Sequence, residues 1–313
     1  DNESMTRAQK SYVDDINAGF DLLHIDTSKD PGYPERVPYD VAIRRVVDLI
    51  SFLESYKRHN NSHHFSYEVS LEETVSNTDR IDEFISFVQI LSNELAAKNL
   101  PQPIFITGNT GTQTRMDRNI GLFDKKIVNK LTGIAIEHNM LLKEHNADYL
   151  STDLLQIHPM LDIKMANVGP EFARVGTDAL MRLALEEKKL ISTFNNSLSP
   201  SNIDLVLFNA VKVSDKWKKW LIDHEQISNF EDKDFREMVL KVNGHYFFSR
   251  SDMIEARKKL FENLKVLDNN NNPEKFLKDS IKAGIMRYVD AFKMRNLTSK
   301  IREIDSDHSI RAS

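Results

Sequence analysis

Residues able to do chemistry recur along the chain as far as residue 171, each close to a short apolar stretch. His24 and Asp26 lie in FDLLHIDTSKD, residues 20–30. Glu68 lies in FSYEVSL, residues 65–71, and Gly108, Asn109, Thr110, Gly111 and Thr112 follow PIFIT. His145 and Asp148 lie in HNADYLS, and Asn167 and Glu171 flank Gly169-Pro170. Two histidines and several carboxylates at one mouth can hold a divalent metal through nitrogen and oxygen donors. They can equally form an acid–base pair that moves protons next to a carbonyl.

Each position also has a plainer reading. Asp26 and Asp148 stand where an acid caps the next helix. His145 follows Lys143 and Glu144 and reads as a surface residue as readily as a ligand. Glu68 alternates with Tyr67 and Val69, and a carboxylate facing an interior there is costly without a role. Residues 108–112 read either as a simple loop or as an anion cradle of backbone amides and hydroxyls. No Gly-Lys-Ser/Thr follows, so the loop is not a Walker motif. Arg115 and Arg118 lie just beyond it, placed to pair a phosphate. His63-His64 reads as a solvated turn, and Trp217, Trp220, Phe247 and Phe248 as core or interface.

The elements that must position these residues alternate. Apolar residues at helical spacing predict helices over 4–18, 39–58, 78–98, 125–138, 152–158 and 177–189. Period-two or short apolar stretches predict strands over 20–26, 65–71, 103–107, 145–151 and 163–168. This alternation makes the fold class α/β, a parallel sheet with helices outside it, either open and doubly wound or part of a closed barrel. In both, loops after the strand C-termini form the site. From about residue 190 the chain turns helical, with amphipathic helices over 251–267 and 273–295 and a polar, loose tail over 299–313. The expected division is therefore a 1–190 portion and a 191–313 helical extension.

Composition narrows the function. The chain has 313 residues, 40% hydrophobic, so it can bury a sizeable core. Its net charge of -5 argues against a nucleic-acid partner. With no cysteines, disulfides and thiolate metal sites are excluded. No apolar run reaches the roughly 20 residues needed to span a bilayer. The polar start lacks a signal peptide's apolar core, so a cytoplasmic protein is expected.

In order, HIDTSKD, YEVSLEE, ITGNTGT, EHNADYLS and KMANVGPEF resemble the later strand ends of the class II tagatose-bisphosphate aldolase accessory-subunit family (GatZ/KbaZ-like), which includes sugar and sugar-phosphate 4-epimerases. The resemblance covers residues 5 to 190 well and the helical part more loosely. It implies a TIM (β/α)8-type barrel, related to the zinc-dependent class II aldolases, with only its later strands in this chain. On that resemblance, Asp26 ends the fourth barrel strand as an acid/base or orienting group. Glu68 on the fifth strand and His145 at the seventh approach a divalent metal, expected to be zinc. Gly108 to Thr112 form the sixth strand's loop, where the aldolases' histidine is replaced by Gly111. Asn167 and Glu171 follow the eighth, near the sugar or its phosphate.

Relatives also carry an Asp-His motif upstream of a helix like that over 4–18. The native polypeptide is therefore expected to be longer at its N-terminus by roughly 80 to 120 residues. Two functions follow from the resemblance. One is a metal-assisted ketose or ketose-phosphate epimerase or retro-aldol enzyme. The other is a non-catalytic partner that stabilises a class II aldolase subunit. An oligomer is expected in either case.

Overall fold

A computed structural model of the chain describes residues 2–28, 30, 32–33, 37–70, 81–194, 197–221, 232–269 and 272–311. Its packing forms two compact units. The first holds Asp1–Gln113, Ile120–Ala147 and Ile157–Asn167; the second holds Thr114–Asn119, Asp148–Gln156 and Val168–Ser313. Packing therefore divides the chain at several places before residue 190.

The first unit begins with helix α1 (Asn2–Asn17) and strand β1 (Leu22–Asp26). There follow α2 (Tyr39–Asn60), β2 (Ser66–Ser70), α3 (Ile81–Ala97) and β3 (Phe105–Gly108). A two-stranded hairpin, β4 (Thr114–Arg115) and β5 (Arg118–Asn119), belongs to the second unit. The first unit resumes with α4 (Lys125–Glu137), β6 (Leu141–Glu144) and β7 (Ile163–Ala166). Leu71 and residues 78–80, predicted to end a strand and begin a helix, lie outside the described residues.

The strands form a parallel sheet in the order β1-β2-β3-β6-β7. An α/β fold with a parallel sheet is thus present, in five strands. Its helix-facing side carries Leu23, Ile25, Tyr67, Val69, Ile106 and Leu142, all buried with the inner faces of α2, α3 and α4. Burying such side chains is the main stabilising term. Local chemistry sets the helix limits. Asp124 caps α4 by accepting from the Lys126 and Ile127 amides. Asn61 closes α2 in the left-handed conformation with φ of 47°.

The strand expected over 145–151 is placed too far along the chain, by its full length. The strand there is Leu141–Glu144, which pairs with β3. The segment after it is a loop, with Tyr149 at a φ of 60° that no strand tolerates.

In the second unit a short helix α5 (Thr152–Ile157, its last residue in the first unit) precedes α6 (Pro170–Phe194). Helix α6 starts seven residues before the predicted Thr177, because Pro170 suits the first helical position. Then come α7 (Ile203–Val213), α8 (Lys233–Asn243), α9 (Ser251–Leu267), α10 (Pro273–Ala291) and α11 (Leu297–Arg311). The tail expected to be loose is helix α11. Leu180, Leu183, Leu207, Trp217, Val239, Phe247, Leu260 and Leu264 form this unit's core, with Phe248 partly buried against it. No described helix is long and apolar enough to cross a membrane.

Candidate functional site

Paired residues of a parallel sheet point to the same face, and alternate residues share it. The register therefore lays out the face opposite the apolar one in the first unit. One rung is His24, Glu68, Phe105 and Leu141; the next is Asp26, Ser70, Thr107, Lys143 and Met165. Six of these nine side chains are polar or charged. The helix-facing side of the same strands is apolar, so the polar residues are gathered by alternation.

Glu68 is the centre of the polar face. It is 2% exposed, and its Oε1 accepts from Lys143 Nζ at 2.5 Å and from Thr107 Oγ1 at 3.2 Å. Lys143 is also buried. Thr107 lies on β3, between the strands that carry the two charges. His24 Nε2 stands 3.5 Å from the same Oε1, with its side chain 43% exposed, so the cluster reaches solvent at the imidazole. A buried charge of either sign is costly without a partner, and each here supplies the other's.

Asp26 ends β1, exposed, and accepts from the Ser28 amide at 2.9 Å. Tyr12 of α1 donates its hydroxyl to the His24 carbonyl at 2.8 Å, fixing the strand end. Burial, and then the charge of Asp26, push that hydroxyl up to about 12, so it stays a donor at neutral pH.

The loop after β3 does cradle an anion, one supplied by the chain itself. Thr110 donates its hydroxyl to Glu144 Oε2, and Thr112 donates to Oε1 at 2.7 Å. The Asn146 amide adds a third donor at 3.2 Å, and Glu144 is fully buried. Gly111 makes the turn possible, because its φ is 99° and a Cβ would stand 2.0 Å from the Leu122 carbonyl oxygen. Asn109 accepts from the Gly111 amide at 2.8 Å, an Asx turn. At Gly108 a Cβ would press within 2.8 Å of Leu142, so the glycine lets β3 and β6 pack closely.

His145 follows β6, partly buried, its Nδ1 3.4 Å from Asn146 Nδ2. Asn167 exchanges backbone bonds with Glu144 and Ala147. Arg118 pairs with its neighbour Asp117, and Arg115 donates to the Thr114 carbonyl. His63 and His64 are exposed in the segment between α2 and β2.

Asp148 and Glu171 belong to the second unit. Asp148 Oδ1 accepts from the Gly169 amide at 3.1 Å and the Glu171 amide at 2.8 Å. It therefore caps α6 rather than the α5 that follows it. Burial first, and the Glu171 charge after it, push Asp148 up to about 6, although the two amides pull it down. Glu171 takes Arg287 Nη2 at 2.7 and 2.9 Å, the Tyr149 amide at 2.6 Å and the Tyr288 hydroxyl. Its carboxylate thus ties α10 and residue 149 to the start of α6.

The residues do not fit the metal that the sequence resemblance implies. Among the described residues no three His, Cys, Asp or Glu side chains gather to hold an ion. Glu68 Oε1 is instead held by the Lys143 ammonium at 2.5 Å.

Sequence reasoning missed Lys143 altogether and used it to argue that His145 was on the surface. The available signal was short: two leucines, then a lysine and a glutamate, one residue after the left-handed helix stop at Asn139. Four residues with two charges resemble a solvated turn more than a strand.

No protein-family model matches the chain, and no curated protein matches it. Solved structures do. A probable tagatose 6 phosphate kinase from Sinorhizobium meliloti 1021 superposes with a TM-score of 0.72 at 16% identity, over 93% of this chain and 78% of that one. These two chains share a fold. The fructuronate-tagaturonate epimerase UxaE from Cohnella laeviribosi aligns at a TM-score of 0.49 and 12% identity, over 94% and 66%. The YdjI aldolase from Escherichia coli K12 aligns at 0.38 and 12%, over 83% and 64%.

Proposed function

We propose that this chain is a carbohydrate-metabolism protein of the (β/α)8 type. It holds a ketose or ketose phosphate over the polar face of its sheet and moves a proton next to the sugar carbonyl, as an epimerase or a retro-aldol enzyme does. The observation that carries this reading is the contact of Glu68 with Lys143, Thr107 and His24, beside Asp26 at the strand ends. The fold shared with a probable tagatose 6-phosphate kinase and the five motifs resembling the accessory-subunit family point to the substrate class.

General acid–base catalysis needs a donor and an acceptor within hydrogen-bond reach. Glu68 and Lys143 meet that condition at Oε1, with His24 3.5 Å from the same oxygen, and Asp26 supplies a second, solvated carboxylate. Asn167 and the loop 108–112 stand at the same ends of the strands, and there they would border a bound sugar.

The test is solvent-deuterium exchange at the carbons beside the carbonyl of tagatose and fructose phosphates, followed by NMR, with and without chelator. Glu68→Gln should slow exchange by roughly 10²–10⁴-fold. Exchange at the wild-type rate in E68Q would remove Glu68 from the reaction.

A second reading has its own observation. Glu68 and Glu144 are both satisfied by internal partners, as carboxylates in a purely structural role would be. In that case the chain stabilises a class II tagatose-bisphosphate aldolase subunit. Co-purification with an aldolase chain, together with no exchange by the isolated protein, would select it.

A further inference from the structure

We propose that Lys143 is the covalent catalyst of the site, a lysine that forms an iminium ion with the ketose carbonyl. The inference rests on the reading that a ketose binds over this sheet face. It also answers the misfit of the metal: the electron sink that a metal would supply is built from the chain's own amine.

Three features carry it. Lys143 is a buried amine one residue from the C-terminal end of β6, on the polar face. Its Nζ stands 2.5 Å from Glu68 Oε1, a distance for direct proton transfer in either direction. His24 shares the rung of Glu68, and its half-exposed imidazole stands 3.5 Å from the same oxygen, one rung below Lys143.

The step balances with the groups present. The ammonium gives one proton to Glu68, and the free amine attacks the ketose carbonyl carbon. A C–N bond forms, and the C=O pair moves to oxygen, which takes the proton back from Glu68. Glu68 then carries the second amine proton to the new hydroxyl, which leaves as water, and the nitrogen lone pair closes the C=N bond. One ammonium and one carbonyl have become one iminium and one water, and Glu68 is again a carboxylate. The iminium can accept the electron pair of an adjacent C–H or C–C bond, the common requirement of epimerisation and retro-aldol cleavage.

The experiment is reductive trapping. Full-length protein is incubated with dihydroxyacetone phosphate or D-tagatose 6-phosphate, reduced with borohydride, digested and mapped by mass spectrometry. Binding of the same compounds is followed in parallel by calorimetry. The expected result is about one adduct per chain, of the sugar phosphate's mass less one oxygen, on Lys143. Lys143→Arg keeps a cation beside Glu68 and should lose the adduct while still binding ligand. Mapping in the wild type does not depend on any variant folding. Binding without an adduct on Lys143, or equal labelling of other lysines in wild type and K143R, overturns the proposal alone. No binding of either compound overturns the ketose reading, and this proposal with it.

Discussion

Replacing Asp148 by Asn should change the pH dependence of stability in a calculable way. Asp148 is 3% exposed, and burial raises it from 3.8 to about 6. Between these values the folded chain still holds the proton that the unfolded chain has released. Stability from this residue is therefore complete below pH 3.8 and is lost as pH rises through about 6. The difference of about 2 units corresponds to about 3 kcal/mol at 1.36 kcal/mol per unit.

Asn keeps the oxygen that accepts from Gly169 and Glu171 and removes the charge. Urea unfolding from pH 3.5 to 8 measures the effect. Trp217 is buried in the core of the second unit, which also holds Asp148, so its fluorescence reports the relevant unit. The stability of D148N minus that of wild type should rise by about 3 kcal/mol across the window, because the titrations of groups distant from Asp148 cancel in the subtraction. A difference that stays flat within about 0.5 kcal/mol would refute the assignment of buried charge at this position.

Lys143→Met leaves Glu68 buried without its cation and should destabilise the chain by about 3–5 kcal/mol, less when combined with Glu68→Leu; a denaturation double-mutant cycle measures this. Gly111→Ala forces a side chain into a left-handed turn against the Leu122 carbonyl. It should lower stability by at least about 1–3 kcal/mol, seen as a fall in Tm. Glu187 is fully buried and accepts from the Ser201 amide at 2.9 Å, Ser201 Oγ at 2.6 Å and Asn263 Nδ2 at 2.6 Å. Glu187→Ala should therefore lower stability by about 3 kcal/mol in urea unfolding, and Glu187→Gln by less.

Much of the α/β alternation was legible because its signals are local. Strand β1 lies inside the predicted 20–26, and α9 runs from Ser251 to Leu267 as its periodicity indicates. Strand β6 was not legible, because its two leucines are followed by charges whose burial depends on partners far along the chain. Glu68 and Lys143 are 75 residues apart in sequence. Glu171 and Arg287 are 116 apart, so nothing near Glu171 shows that its carboxylate is already engaged.

The sequence by itself determined the alternation of helix and strand and the chemistry on offer, histidines, carboxylates and a glycine–threonine loop with no cysteine. Those properties depend on residue type and on spacing within about a dozen residues. Only the tertiary structure decided which charges meet. Parallel pairing aligns residues from strands separated by whole helices, and burial then forces each charge to find a partner. Glu68 finds Lys143, Glu144 finds Thr110 and Thr112, and Asp148 finds the start of α6.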